Sequence, residues 1–152
     1  MKTVELHRFN SHMIQLGLSF CIPASAHAIF QYHDSSFPHS QEYILSLMVV
    51  GESNHQPSFR AMVKHVLPVV QDQFTLTNLL PSTFQEWTDN IKKEIDNLCP
   101  IAIATRVLPS GVHIRVVLGY DDNTKLFMVF NPGVSTFASN ILNGIVQPGL
   151  VL

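Results

Sequence analysis

Apolar residues recur at helical spacing up to about residue 97 and at strand spacing after it. The stretch STFQEWTDNIKKEIDNL, 82–98, is the clearest helix. Phe84, Trp87, Ile91, Ile95 and Leu98 share one side, while Asp89, Lys92, Lys93, Glu94 and Asp96 take the other. Ser82-x-x-Gln85 has the form of a capping box, so the helix is expected to open there. Three earlier helices are expected. The first begins at Cys21 or Ile22, because Pro23 suits a first helical turn, where its missing N–H is not needed. ASAHAIFQYH continues it and DSSFP ends it. SQEYILSLMVV is the second, with Tyr43, Leu47 and Val50 on one face and Gly51 as its stop. PSFRAMVKHVL is the third, capped by Ser58, with Phe59, Met62, Val63 and Val66 as its stripe. FTLTNL is expected as a short strand between helices.

After Cys99-Pro100 the period changes. IAIATRVL, HIRVVLGY and KLFMVF are rich in β-formers and are separated by the turn sequences PSG and DDNT. Val116, Val117 and Leu118 are apolar at consecutive positions, as in a strand covered on both faces. From Pro132 onward the pattern assigns no element. The whole predicts one α+β domain over 1–152, helices first and an antiparallel sheet after them.

Composition narrows the function classes. The chain has 152 residues, 46% hydrophobic and 13% charged, which is enough for a packed core and far from a disordered composition. The net charge is −2 with no basic stripe, so nucleic acid is not an expected partner. MKTVELHRFNSH lacks an apolar core long enough for a secretory signal, and the apolar runs are too short to span a membrane. The expected location is cytoplasmic, or exported without a classical signal peptide. Two distant cysteines do not make a disulfide framework, so free thiols in a reduced compartment are expected. His27 and His33 are six apart, not on one helical face, and give no zinc spacing with either cysteine. No metal or other cofactor is expected. Cys99, before Pro100 and a buried strand, reads as an inert core thiol.

One constellation can carry chemistry. If DDNT is the hairpin turn, the ladder pivots near Asp122 and sets His113 opposite Asn131. Directly opposed side chains lie about 4.5–5.5 Å apart at Cβ, close enough for an amide to hold an imidazole in one orientation. Cys21 begins a helix, where the positive dipole end favours a thiolate, and a neighbouring imidazolium favours it further. Nucleophile, base and orienting residue are then present. Gln15, six residues before Cys21, together with the Cys21 backbone N–H, would supply two oxyanion donors. On these residues alone, a packed Cys21 and a reactive Cys21 both stay open.

Three motifs carry a resemblance. Q-x5-C-x-P-A at 15–24, SGVHIRVVLGYDD at 110–122 and VFNPG at 129–133 resemble the papain-like cysteine peptidases, closest to the branch of the bacteriocin-leader (double-glycine) peptidases. The resemblance covers roughly residues 10–133. It implies a papain-like α+β fold and a peptide or protein substrate. Cys21 would be the nucleophile, His113 the general base and then acid, Asn131 the orienting residue and Gln15 the oxyanion donor. Ile22 departs from the glycine usual after the cysteine, which would crowd the start of the helix. Asn131 stands where this branch usually has Asp, although papain itself uses Asn. Other outcomes compatible with the same fold are deamidation or acyl transfer by the same triad, and an inactive module that binds peptides.

Overall fold

The computed structural model describes residues 1–10, 13–17, 20–50, 57–70, 83–106, 112–133 and 136–140. The element order is β1 (Lys2–Thr3), α1 (Cys21–His33), α2 (Gln41–Val49), α3 (Phe59–Ala61), α4 (Leu67–Val70), α5 (Phe84–Asp96), β2 (Ile101–Arg106), β3 (Val112–Asp121), β4 (Leu126–Asn131) and β5 (Thr136–Asn140). A 3-10 turn, Leu6–Arg8, follows β1, and a π turn, Met62–Val66, joins α3 to α4 without a break. The fold is α+β, with helices leading and a mainly C-terminal antiparallel sheet. The expected strand FTLTNL, the stop at Gly51, Ser82 and the PSG turn lie outside the described residues. Among the described residues no helix is long and apolar enough to cross a membrane.

Strand β3 organises the sheet. Residues 112–117 pair with β2 and residues 119–120 with β1, so these two strands lie end to end along one edge. β4 takes the other edge, and β5 lies outside β4. The expected hairpin exists, but its register differs. Val116 faces Phe130 and Val117 faces Val129; then a bulge shifts the pairing so that Gly119 faces Met128. The turn is Asp122 to Lys125 rather than DDNT, with Lys125 in a left-handed conformation (φ 57°). Moving the turn carries the ladder past the assumed pivot and the bulge takes back only part of that shift, so His113 does not face Asn131 directly.

Helix α1 is buried on nearly every side. Ile22, Ala24, Ala26, Ala28, Ile29, Phe30 and Tyr32 all join the interior, and the helix packs on α2, β2 and β3. The run of small alanines lets those neighbours come close. The Tyr32 hydroxyl donates to the Leu98 carbonyl (2.8 Å) and accepts from the Glu5 N–H (3.2 Å). That one group ties the far end of α1 to both the N-terminal segment and the end of α5.

The helix boundaries follow their caps. Ser58 caps the third helical stretch as expected, accepting from the Ala61 N–H. On α5 the cap is Thr83, not Ser82: its backbone is extended and its hydroxyl accepts from the Glu86 N–H (3.1 Å). Thr83-x-x-Glu86 is the capping pair, one residue later than expected. Trp87, Ile91 and Ile95 form the buried stripe, while Phe84 and Leu98 are exposed. At its other end the Leu98 N–H bonds to Ile95 O and the Cys99 N–H to Glu94 O, a Schellman closure with Leu98 in the left-handed position. On α2 the expected face is corrected. Gln41, Ile44 and Met48 are buried, whereas Tyr43 is 40% and Val50 65% exposed. Gln41 belongs to the inner face because its Nε2 donates to the Ile14 carbonyl.

Two expectations about stability arise from this packing. A Cβ on Gly119 would lie 2.6 Å from the Lys2 carbonyl oxygen, so Gly119→Ala must displace β1. Such overpacking costs about 1–3 kcal/mol, and a lower urea midpoint is the expected result. His27 is half-buried, its Nδ1 has no hydrogen-bond partner, and burial lowers its pKa despite the opposing pull of Glu42. The unfolded chain therefore takes up the proton first as pH falls. Its contribution is intact above about 6.5 and is lost below that value. Unfolding midpoints should fall between about pH 7 and pH 5, less steeply in His27→Gln.

Candidate active site

Three of the four expected site residues converge at one point. His113 Nε2 lies 2.6 Å from Asn131 Oδ1. The contact is diagonal, because the β3–β4 ladder begins only at Val116. A Cβ placed on Gly133 would lie 3.3 Å from Asn131 Oδ1, 3.6 Å from Gln15 Oε1 and 3.6 Å from His113 Cε1. Gly133 is thus where Gln15, Asn131 and His113 meet. Its φ lies outside the left-handed region, so the backbone does not require glycine there. Gly133 itself is exposed.

The hydrogen bonds fix the chemistry of the pair. The Gly133 N–H donates to the same Asn131 Oδ1 (3.0 Å). An atom accepting from a backbone N–H is the carbonyl oxygen of the amide, which settles the orientation of Asn131. Nε2 of His113 must then carry a hydrogen. In the neutral imidazole the bare nitrogen is Nδ1, the atom able to take or give a proton. Thr105, across the β2–β3 ladder, is buried and donates its hydroxyl to the His113 carbonyl (2.9 Å). That bond steadies the backbone beneath the ring.

Gln15 is joined to both halves of the fold. Its N–H donates to the Pro132 carbonyl (2.8 Å), next to Asn131. Its side-chain Nε2 donates to the Gly17 carbonyl (3.0 Å), which also accepts from the Phe20 N–H (3.0 Å). The amide is therefore pinned to the turn that leads into α1. Its Oε1 is buried and without a partner.

Cys21 is the first residue of α1, free and half-buried, and Phe20 gives the helix no side-chain cap. Ile22 is 8% exposed and belongs to the core, so its side chain is absorbed by packing. Cys99 is half-buried rather than a core residue; burial, with help from Glu94, raises its pKa, and its Sγ lies 3.6 Å from the Asn97 carbonyl. The sequence reading did not single out Gly133. The signal was a glycine just after Asn131-Pro132, at a position whose N–H folds back onto Asn131.

A family model described as Peptidase_C39 like family matches residues 3–142 of this chain. No curated protein matches it. The matched span includes Gln15, Cys21, His113 and Asn131.

The tautomer can be read directly. Long-range nitrogen–proton NMR at a pH where His113 is neutral should give the pattern of an Nε2–H imidazole. In Asn131→Ala that preference should be lost. An Nδ1–H pattern in the parent chain would overturn the assignment.

Proposed function

The chain belongs to the Peptidase_C39 like family, a branch of the papain-like cysteine peptidases, and from that premise we propose that it cleaves peptide amides through Cys21, His113, Asn131 and Gln15. The observation that carries the reading is the meeting of Gln15, Asn131 and His113 at the bare Cα of Gly133. Its substrate is a peptide or protein.

The steps follow from the groups present. The Cys21 sulfur attacks the scissile carbonyl carbon, and its proton passes to His113 Nδ1. The carbonyl oxygen becomes an oxyanion at the N-terminal end of α1, where backbone N–H groups and the helix dipole favour negative charge. Gln15 Nε2 donates to the Gly17 carbonyl and Oε1 faces the His113–Asn131 pair, so in this reading the amide turns over to present Nε2 as the side-chain donor. Collapse of the intermediate breaks the C–N bond, and His113 returns its proton to the leaving amine. Water then attacks the thioester, giving a proton to His113, and the acid product leaves as the thiol reforms. Asn131 keeps Nε2 protonated throughout, so Nδ1 does the transfer.

Alkylation tests the pair without a known substrate. Iodoacetamide should label Cys21 faster than Cys99 at about pH 6, where an ordinary thiol is mostly protonated. His113→Ala should abolish that advantage. Assistance by a positioned acid or base contributes typically about 10²–10⁴-fold, so the same variant should lower peptide hydrolysis by that range. If Cys21 reacts like an ordinary thiol and His113→Ala changes nothing, Cys21 is only a packing residue.

A further inference from the structure

The β2–β3 ladder is regular past the site: Thr105 pairs with His113 and Ile103 with Arg115. Residues two apart on a regular strand point to the same face, so Arg115 shares the face of His113. On the other edge the first β3–β4 pair is Val116 with Phe130. One step further toward the site on each strand are Arg115 and Asn131. By register Arg115 therefore lies on the His113 face, next in line to the His113–Asn131 contact. It is also the one charged residue in the strand run HIRVVL, a break in an otherwise apolar stretch.

Its environment is unlike that of the ion-paired cations among the described residues. Lys2 is paired with Asp96, Arg8 with Glu5 and Lys92 with Asp122, all at or near the surface. Arg115 is half-buried, its Nε is closed off from solvent, and that Nε has no hydrogen-bond partner. Burial lowers its pKa, and no ionic partner among the described residues offsets that shift. Holding a guanidinium partly out of water without a counter-charge is costly. An incoming anion would relieve the cost, and the planar guanidinium fork matches a carboxylate.

We propose that Arg115 is a specificity-determining residue that receives a carboxylate of the substrate peptide next to the scissile bond. The inference rests on the peptidase reading above. The carboxylate comes from an acidic side chain or from a peptide C-terminus, and the two are separable. The competing role for Arg115 is packing by its aliphatic stem, which a charge-sensitive readout would not register.

Two alkylating agents provide that readout. Iodoacetate carries a carboxylate and iodoacetamide does not. The ratio of their rates at Cys21 is measured by mass spectrometry, with Cys99 as internal reference. Arg115→Gln should lower the Cys21 ratio by about fivefold, the scale of one nearby charge pair, and Arg115→Lys should restore part of it. Arg115→Met, which keeps the stem, should behave like Arg115→Gln. An unchanged ratio in Arg115→Gln overturns the proposal. Failure of the peptidase reading looks different, because His113→Ala would then leave the iodoacetamide rate at Cys21 unaltered while the ratio is still read. Protection separates the two sources. Amidated peptides with one internal Asp, and uncharged peptides with a free C-terminus, are compared for slowing iodoacetamide at Cys21. Protection by one class and not the other names the source. Protection by neither beyond an amidated, uncharged control overturns the proposal.

Discussion

Strand β3 takes three partners along its ten residues, and most of the architecture depends on how it shares them. Its first half pairs with β2 on one edge, while its second half pairs with β1 on that same edge and with β4 on the other. Two features make this division possible. The bulge between Val117 and Gly119 re-registers β4. The bare Cα of Gly119 lets the Lys2 carbonyl lie where a Cβ would otherwise sit. The β3–β4 ladder stops at Val116, so the first residues of β3 are free of β4 and His113 can reach diagonally to Asn131.

The site is then assembled from segments far apart in sequence by a few backbone groups. The Gln15 N–H meets the Pro132 carbonyl, which fastens the segment before α1 to the end of β4. The Gly17 carbonyl gathers the Gln15 amide and the Phe20 N–H, which fixes the chain just before Cys21. Gly133 gives its N–H to Asn131 and withholds a side chain from the point where Gln15, Asn131 and His113 meet. None of these groups is chemically special. Their effect is to remove alternatives: one amide orientation for Asn131, one tautomer for neutral His113, one place for Gln15. On the peptidase reading, groups held this way would be positioned before the substrate arrives.

Much of this was legible in the sequence, and the failures have physical causes. The helix–sheet division, the start of α1 at Cys21 and the buried stripe of α5 follow from periodicity and from Pro23, signals that are local. The wrong face on α2 came from counting only apolar residues. Gln41 turns inward because its amide finds the Ile14 carbonyl, a partner 27 positions away that no periodicity reveals. The α5 cap was misplaced because Ser82 and Thr83 are both good cap residues and only the backbone conformation chooses between them. The hairpin register differs because the turn falls at Asp122 to Lys125, later than the pattern suggests, and the bulge, which takes back part of that shift, leaves no mark in the alternation. His113 and Asn131 were nonetheless paired correctly, since both side chains are long enough to meet across a diagonal.

The identity of residue 131 shows how little charge the arrangement needs. Asn131 Oδ1 accepts two N–H bonds, from His113 and from Gly133. An aspartate could accept the same two bonds, so orientation alone does not distinguish the residues. What differs is the charge: a carboxylate beside an imidazole favours its protonated form, whereas an amide directs the ring without that bias.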